Sequence, residues 1–366
     1  MILKPASISR ALVALAVALL LAACQPQSTP PVAKLGAHAT NIAETSLSGI
    51  SSGAYMAGQF QLAHGEIVVG AAIIAGGPFA CSESLFADMM PGPGTILINM
   101  GKAINGCMLN TLWMMGVPNP PGLARRARTL AERGDIAPIE TVTSDRVYLF
   151  SGTEDTVVRP PIVAAARDFY RALGVPEDRL AVVDTIRAGH AFVTLDSGNA
   201  CSRNEKPYVV DCDYDQADAL LTHIYGPLSP RTTKPGGAFQ LFDQREFTSG
   251  LGDHGLADSG VVYVPPACRP TSRGSAGCRV HVSYHGCAQS RAEVGDAYIA
   301  GTALAQWADT NRLIVLFPQV RSGPTNPQGC WDWWGYTGKE FLTRRAPQII
   351  AVRRMLERLA TKPGTT

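Results

Sequence analysis

A serine stands between two glycines in Gly49-Ile50-Ser51-Ser52-Gly53, where a short β-prone run passes directly into a helix-like segment. Gly-x-Ser-x-Gly at a strand-to-helix junction is the pattern of a nucleophile elbow. The turn holds the serine in a strained backbone conformation, bulky neighbours would clash, and the following helix points its free N–H groups at developing negative charge. A plain glycine-serine turn has the same five letters, so position decides in favour of the elbow. Ser51 is the candidate nucleophile. Ser52 is the runner-up, but only Ser51 has a glycine two residues away on each side.

A serine hydroxyl needs a general base, usually a histidine oriented by a carboxylate. Of seven histidines, His190 lies in "IRAGHAFVT", just past the strand-like "RLAVVDT", where a carboxyl-edge loop is expected. His64 and His223 belong to helical segments, His38 to a tether-like stretch and His281 to a strand face. His254, in "GDHGL", is the chief rival. In "VYLFSGTEDTVV", Glu154 and Asp155 follow a buried strand. Asp155 is the expected partner of His190 and Glu154 the alternative, against the plainer role of an aspartate capping a turn or helix. Ser51, Asp155, His190 is the chain order of such hydrolases.

An oxyanion site needs the N–H after the nucleophile, here Ser52, and a second from a loop that ordinarily precedes the serine. Only tether lies upstream of Ser51. The strand-like "RVHVSYHGCAQS" instead carries His285-Gly286-Cys287 downstream of the triad. A circular permutation would bring that loop beside the elbow, with the Cys287 N–H as second donor and His285 shaping the turn.

The elements that must position these groups alternate. Apolar strands "EIVVGAAIIAGG", "RVYLFSG", "RLAVVDT", "GVVYVPP", "RVHVSYHG" and "LIVLFPQV" are interspersed with helical stretches "AYMAGQFQLAH", "PPIVAAARDFYRALG" and "QADALLTHIYG". Further helices are expected around Ile299 to Asn311 and about Phe341 to Leu359. This alternation predicts an α/β protein with a mostly parallel sheet and helices on both faces, with active groups at the carboxyl ends of strands.

Composition sets the remaining bounds. The chain has 366 residues with 17% charged and 46% hydrophobic, which fits a sizeable core rather than disorder. Net charge is +2 with both signs interspersed, so no nucleic-acid partner is expected. The arginines of "ARRARTLAERG" read as a solvated helix face. Lys4 and Arg10 precede an apolar run that ends in Leu21-Ala22-Ala23-Cys24. That is a secretory layout of lipoprotein type, with residues 1–23 as signal, Cys24 as the lipidated residue and 24–40 as a flexible tether to a single catalytic domain, 41–366. Gln25 after the cysteine suggests the outer membrane. Simple secretion with cleavage near Ala23 is the alternative. Removing Cys24 from nine cysteines leaves eight, an even number in an oxidising compartment. Proximity along the chain favours Cys81–Cys107, Cys201–Cys212, Cys268–Cys278 and Cys287–Cys330. No Cys-x-x-Cys occurs, and neither metal nor organic cofactor is implied.

Taken in order, "GISSGAYMAGQF", "AGGPFAC", "SGTEDTVV", "AGHAF", "YHGCAQ" and "GCWDWWGYTG" resemble secreted poly(3-hydroxybutyrate) depolymerases of the single-domain, circularly permuted α/β-hydrolase type. The resemblance runs from Ala43 to the C-terminal helix. It implies a serine esterase cutting 3-hydroxyalkanoate esters through an acyl-enzyme, with Ser51, Asp155 and His190 as triad and the Ser52 and Cys287 N–H groups for the oxyanion. It also implies that a tryptophan of the last motif borders the crevice, Trp334 or equally Trp331. Many bacterial members carry a linker and a polymer-adsorbing domain, and the sequence to Thr366 shows neither. With the apparent lipid anchor, this suggests soluble oligomers or amorphous polymer as substrate. An esterase for plant-derived feruloyl or acetylxylan esters and an inactive lipid-anchored binding protein are the alternatives.

Overall fold

Strand β1 (Thr45–Ile50) is buried along its whole length, as a strand central to a parallel sheet must be. It belongs to a computed structural model that describes residues 32–84, 94–270 and 277–364. The other strands in chain order are β2 (Val68–Ile74), β3 (Arg146–Phe150), β4 (Leu180–Val183), β5 (Phe192–Thr194), β6 (Asn199–Ala200), β7 (Val209–Asp211), β8 (Ala238–Asp243), β9 (Ser259–Val264), β10 (Arg279–Tyr284) and β11 (Leu313–Phe317). Eight form one sheet in the order β4-β3-β2-β1-β10-β11-β9-β8, and β5, β7 and β6 form a small second sheet. The pairs from β4 through to β11 are parallel, while β9 and β8 complete the edge antiparallel.

The main helices are α1 (Ser52–Ala63), α2 (Gly94–Cys107), α3 (Pro120–Glu132), α4 (Pro160–Leu173), α5 (Gln216–Tyr225) and α6 (Pro347–Ala360). Alternation along the strands divides the core in two. Leu47, Ala71, Ile73, Val147 and Leu149 pack with α1, α3, α4 and α6 on one face. Ile50, Ala72, Ile74, Tyr148 and Phe150 pack with α5 and the helical turns around residue 304 on the other. The sheet is therefore covered on both sides, as the apolar runs predict.

The permutation is visible in the strand order. β10, from the last quarter of the chain, lies directly beside β1, with Ser46 opposite His281 and Gly49 opposite Tyr284. The elbow thus leaves β1 alongside the turn that follows β10.

Four expectations change. The tether does not extend to Thr40: from Ala33 the chain belongs to the compact unit. There Leu35 and His38 are buried, and the backbone of 38–40 is hydrogen-bonded to Leu359 and Thr361. A polar, Pro-rich start concealed that short docked stretch. The helix around Ile299 to Asn311 is broken at Ala303, whose φ of 58° interrupts helical bonding. The last helix begins at Pro347, since proline is suited to a first helical turn, and residues 341–346 are turns. Strand β8 is additional to the expected strands: four of its six residues are exposed, so its pattern is not that of a buried strand. The expected leader 1–23 and Cys24 lie outside the described residues. Among the described residues, no helix is long and apolar enough to cross a membrane.

Candidate active site

Ser51 has φ 57° and ψ −123° and precedes the first residue of α1. A non-glycine residue at positive φ stores of order 1–3 kcal/mol of strain, so the surroundings must hold it there. They do so by close packing. A Cβ on Gly49 would lie 2.0 Å from the Gly53 carbonyl oxygen, and a Cβ on Gly53 would lie 2.3 Å from that of Tyr284. Both glycines of the elbow are thus required sterically. Ser51 occupies an N-cap position yet makes no capping hydrogen bond, although serine caps helices readily. Its hydroxyl bonds to no other described residue. Ser52 Oγ, in contrast, accepts the Trp331 N–H at 3.3 Å, so the runner-up serine is occupied structurally.

His190 and Asp155 meet at the carboxyl edge. His190 Nδ1 lies 2.8 Å from Asp155 Oδ2, with both side chains buried. The other carboxylate oxygen accepts the Val157 and Val158 N–H groups, each at 2.8 Å. The plain turn role and the histidine-orienting role are therefore both filled by one residue. Three facing donors hold the carboxylate in place, and its contact with Nδ1 leaves Nε2 as the free nitrogen of the imidazole. Glu154 instead pairs with Arg187 at 2.9 Å in solvent. His254 accepts its own loop's Leu256 N–H and has no carboxylate partner among the described residues.

Asn204 is a positioning residue the motifs did not indicate. Its Oδ1 accepts the N–H groups of His190 (2.8 Å) and Thr156 (3.0 Å), and its Nδ2 donates to Glu154 O at 3.1 Å. It ties the aspartate loop to the histidine loop. No residue pattern marks such a role, because its partners are backbone atoms distant in sequence.

The turn after β10 completes the site. A Cβ on Gly286 would lie 3.2 Å from that of Ser51, so His285-Gly286-Cys287 abuts the elbow. The Ser52 N–H belongs to the first turn of α1, where no intrahelical acceptor exists. The Cys287 N–H has no acceptor among the described residues. The Cys287–Cys330 disulfide links this turn to the tryptophan loop, and the other three bridges, Cys81–Cys107, Cys201–Cys212 and Cys268–Cys278, also join as proximity suggested.

The tryptophan loop is organised by buried Asp332, which accepts hydrogen bonds from the N–H groups of Trp334, Gly335, Tyr336 and Thr337 and from the Thr337 hydroxyl. Burial pushes its carboxyl above the usual range, and these donors oppose the rise. Trp331 is fully buried, edge-on to Tyr284 with ring centroids 5.0 Å apart. It is enclosed core, its ring tilted against His285 with centroids 5.8 Å apart, which removes it as a crevice wall, whereas Trp334, also buried, keeps 6% exposure. Trp333 stacks on Tyr55 at 4.1 Å, and Trp334 packs against Trp333 and Tyr336.

Comparison with known proteins adds to this geometry. No family model matches the chain. It is 37% identical over 349 residues to a poly(3-hydroxybutyrate) depolymerase of Delftia acidovorans, covering 94% of this chain and 65% of that one. It is 31% identical over 338 residues to a polyhydroxybutyrate depolymerase of Talaromyces funiculosus, covering 87% and 90%. The chain therefore spans just under two thirds of the bacterial relative and nearly all of the fungal one. The crystal structure of a PHB depolymerase from Penicillium funiculosum superposes with a TM-score of 0.76 at 30% identity, over 89% of this chain and 98% of the other. A serine-to-alanine variant of a PHB depolymerase complexed with an R3HB trimer superposes over the same shares with a TM-score of 0.77. A parallel sheet with the elbow at its centre, the permuted turn beside it and likeness along nearly the full length of a fungal relative lead to one assignment: the chain belongs to the polyhydroxybutyrate depolymerase family.

Proposed function

We propose that the protein is a serine esterase that hydrolyses the ester bonds of poly- or oligo(3-hydroxybutyrate) through an acyl-enzyme. Two observations carry the reading: the Ser51 elbow, its hydroxyl withheld from capping and packed against the Gly286 turn, and the buried Asp155–His190 pair, whose imidazole meets Tyr208 on the segment bonded to that same turn. Ser51 Oγ attacks the ester carbonyl while His190 Nε2 takes its proton, and Asp155 stabilises the imidazolium formed. The tetrahedral oxyanion accepts the N–H groups of Ser52 and Cys287. His190 then returns the proton to the departing alkoxide oxygen, releasing a hydroxyl-ended fragment. Water, activated by the same imidazole, cleaves the ester to Ser51. The hydrogen bond from Ser51 to His190 forms on substrate alignment, since such contacts are commonly long beforehand.

Trp334 is the tryptophan proposed to border the crevice. Four disulfides fit an exported protein, and lipidation at Cys24, holding the enzyme at the outer membrane, extends that to a location. The direct test is labelling with a fluorophosphonate followed by mass spectrometry, alongside rates on a 3-hydroxybutyrate trimer, a feruloyl ester and an acetylated xylan. The expected result is an adduct on Ser51 and turnover of the trimer first. An adduct elsewhere, or no ester cleaved, would sink the proposal, and faster turnover of the plant esters would move the substrate assignment.

A further inference from the structure

Two fully buried polar side chains of the turn after β10 take no part in the steps above, yet every hydrogen-bonding end of both is engaged. They grip Gly286 from opposite sides. The Gly286 N–H donates to Gln289 Oε1 at 2.7 Å, and the Gly286 carbonyl lies 2.7 Å from His285 Nδ1. His285 Nε2 accepts the Val320 N–H at 3.3 Å, which assigns the ring proton to Nδ1 and makes that contact a donation. Burial holds this imidazole neutral, lowering its pKa to about 4. Across a trans peptide, the C=O and the next N–H point in opposite directions. Fixing the Gly286 oxygen therefore fixes the direction of the Cys287 N–H.

The other end of Gln289 reaches across the site. Its Nε2 donates to the carbonyl oxygens of Pro207 (2.8 Å) and Tyr208 (3.2 Å). Tyr208 O also accepts the Phe192 N–H, two residues past His190, at 2.8 Å. The Tyr208 ring meets the His190 imidazole edge-on, with centroids 5.9 Å apart. One buried amide thus joins the turn beside Ser51 to the segment that packs on the base.

We propose that Gln289, acting with His285, is a positioning residue that aims the Cys287 N–H at the oxyanion and couples that aim to the placement of His190. The inference rests on the reading of Cys287 as an oxyanion donor. A preorganised donor counts only in the transition state, where losing one outright costs about 10²–10³ in kcat. A misaimed donor should cost less, about 10–100-fold, with little change in substrate binding.

The test uses the whole chain. Gln289→Met keeps length and burial but removes both polar ends, while Gln289→Glu keeps an acceptor for Gly286 and loses the donor to residues 207 and 208. For each, kcat and KM on a 3-hydroxybutyrate trimer are measured with the inhibition constant of a phenylboronic acid, which mimics the tetrahedral anion. The expected result is a fall in kcat of about 10–100-fold for Gln289→Met, with KM within about threefold and boronate affinity falling in step with kcat/KM. Gln289→Glu, whose carboxyl oxygen faces those two carbonyl oxygens, should also lose kcat with KM little changed, and a wild-type kcat for it overturns the coupling to residues 207 and 208. A Gln289→Met enzyme with wild-type kcat, or a change in KM alone, overturns the positioning role. If Ser51→Ala retains the wild-type rate, the underlying esterase reading fails and the proposal with it. Should Gln289→Met not fold, the crystal structure of wild type phosphonylated on Ser51 decides. The Gln289 amide must still bridge Gly286 and Pro207 with the phosphonyl oxygen on the Cys287 N–H, and a side chain turned away overturns the proposal.

Discussion

A serine at a helix N-cap normally spends its hydroxyl on the helix, and Ser51 does not. The backbone is held at positive φ, and the glycines around it exist because backbone lies within 2.0–2.3 Å of where their Cβ atoms would be. The same economy shows in Asp155, whose two oxygens divide between its own turn and His190. Asp155→Asn should therefore keep the fold but can present an amide N–H to Nδ1, moving the ring proton to Nε2 where a lone pair is needed. The expected loss in kcat is about 10⁴-fold, and a loss under tenfold would remove Asp155 from this role.

At the scale of elements, the site is a junction of two strands that are neighbours in space and remote in sequence. Gly53, second residue of α1, packs against the carbonyls of Tyr284 and His285, at and just past the end of β10, where a Cβ would come within 2.3 and 2.4 Å. Those atoms are backbone and cannot rotate away. Gly53→Ala should push α1 off the turn, costing about 1–3 kcal/mol of stability and a larger share of kcat than of substrate affinity. Calorimetry together with trimer kinetics checks this, and a Gly53→Ala enzyme with wild-type kcat would show that the elbow does not lean on β10. Buried His281 sits in the same seam, its ring nitrogens 2.6 and 2.8 Å from the hydroxyls of Ser46 and Ser48. It pins the register of β1 against β10 that the site requires.

The whole molecule titrates through buried groups that take no part in the chemical steps. Burial lowers the pKa of His281 to about 3 and that of His285 to about 4, so the unfolded chain takes up protons on them first. Their contribution is complete above the ordinary histidine range and is lost as pH falls toward those values. Asp145 has the opposite sign. Burial raises its carboxyl to about 8, against the opposing hydrogen bond from Gln61 and the charge of Arg179, so the folded state holds a proton that the unfolded chain has released. Stability should therefore decline as pH rises from the ordinary carboxylate range toward 8, and Asp145→Asn should abolish that decline. Thermal midpoints measured from pH 5 to 9 on both proteins test it, and parallel curves would refute the assignment. On the outer surface Trp113, Met114 and Met115 are 65%, 81% and 58% exposed, beyond a cluster in which Met108 and Leu112 pack with Trp333 and Trp334. Three consecutive exposed apolar residues of this size would suit contact with an insoluble polyester. Trp113→Ser with Met114→Ser should slow the clearing of a polymer emulsion and leave trimer hydrolysis within about twofold, since contact area matters only for the insoluble substrate. Equal losses on both would place the face in the crevice instead.

How much was legible beforehand follows from the range of the interactions involved. The elbow, the buried strands, the helices around residues 54, 160 and 216, and the carboxyl-edge loops bearing Asp155 and His190 are local patterns of spacing and glycine placement, so the amino-acid order alone determined them. The permuted turn was legible too, because a His-Gly strand end found downstream left few other sources for the second amide. Tertiary structure alone decided what depends on partners remote in sequence. It placed Trp331 in the core rather than the crevice, docked residues 33–40, and gave Asn204 and Gln289 their positions between loops. Each of those roles is a set of hydrogen bonds or contacts with atoms that only the folded sheet brings together, and backbone acceptors leave no mark in the order of side chains.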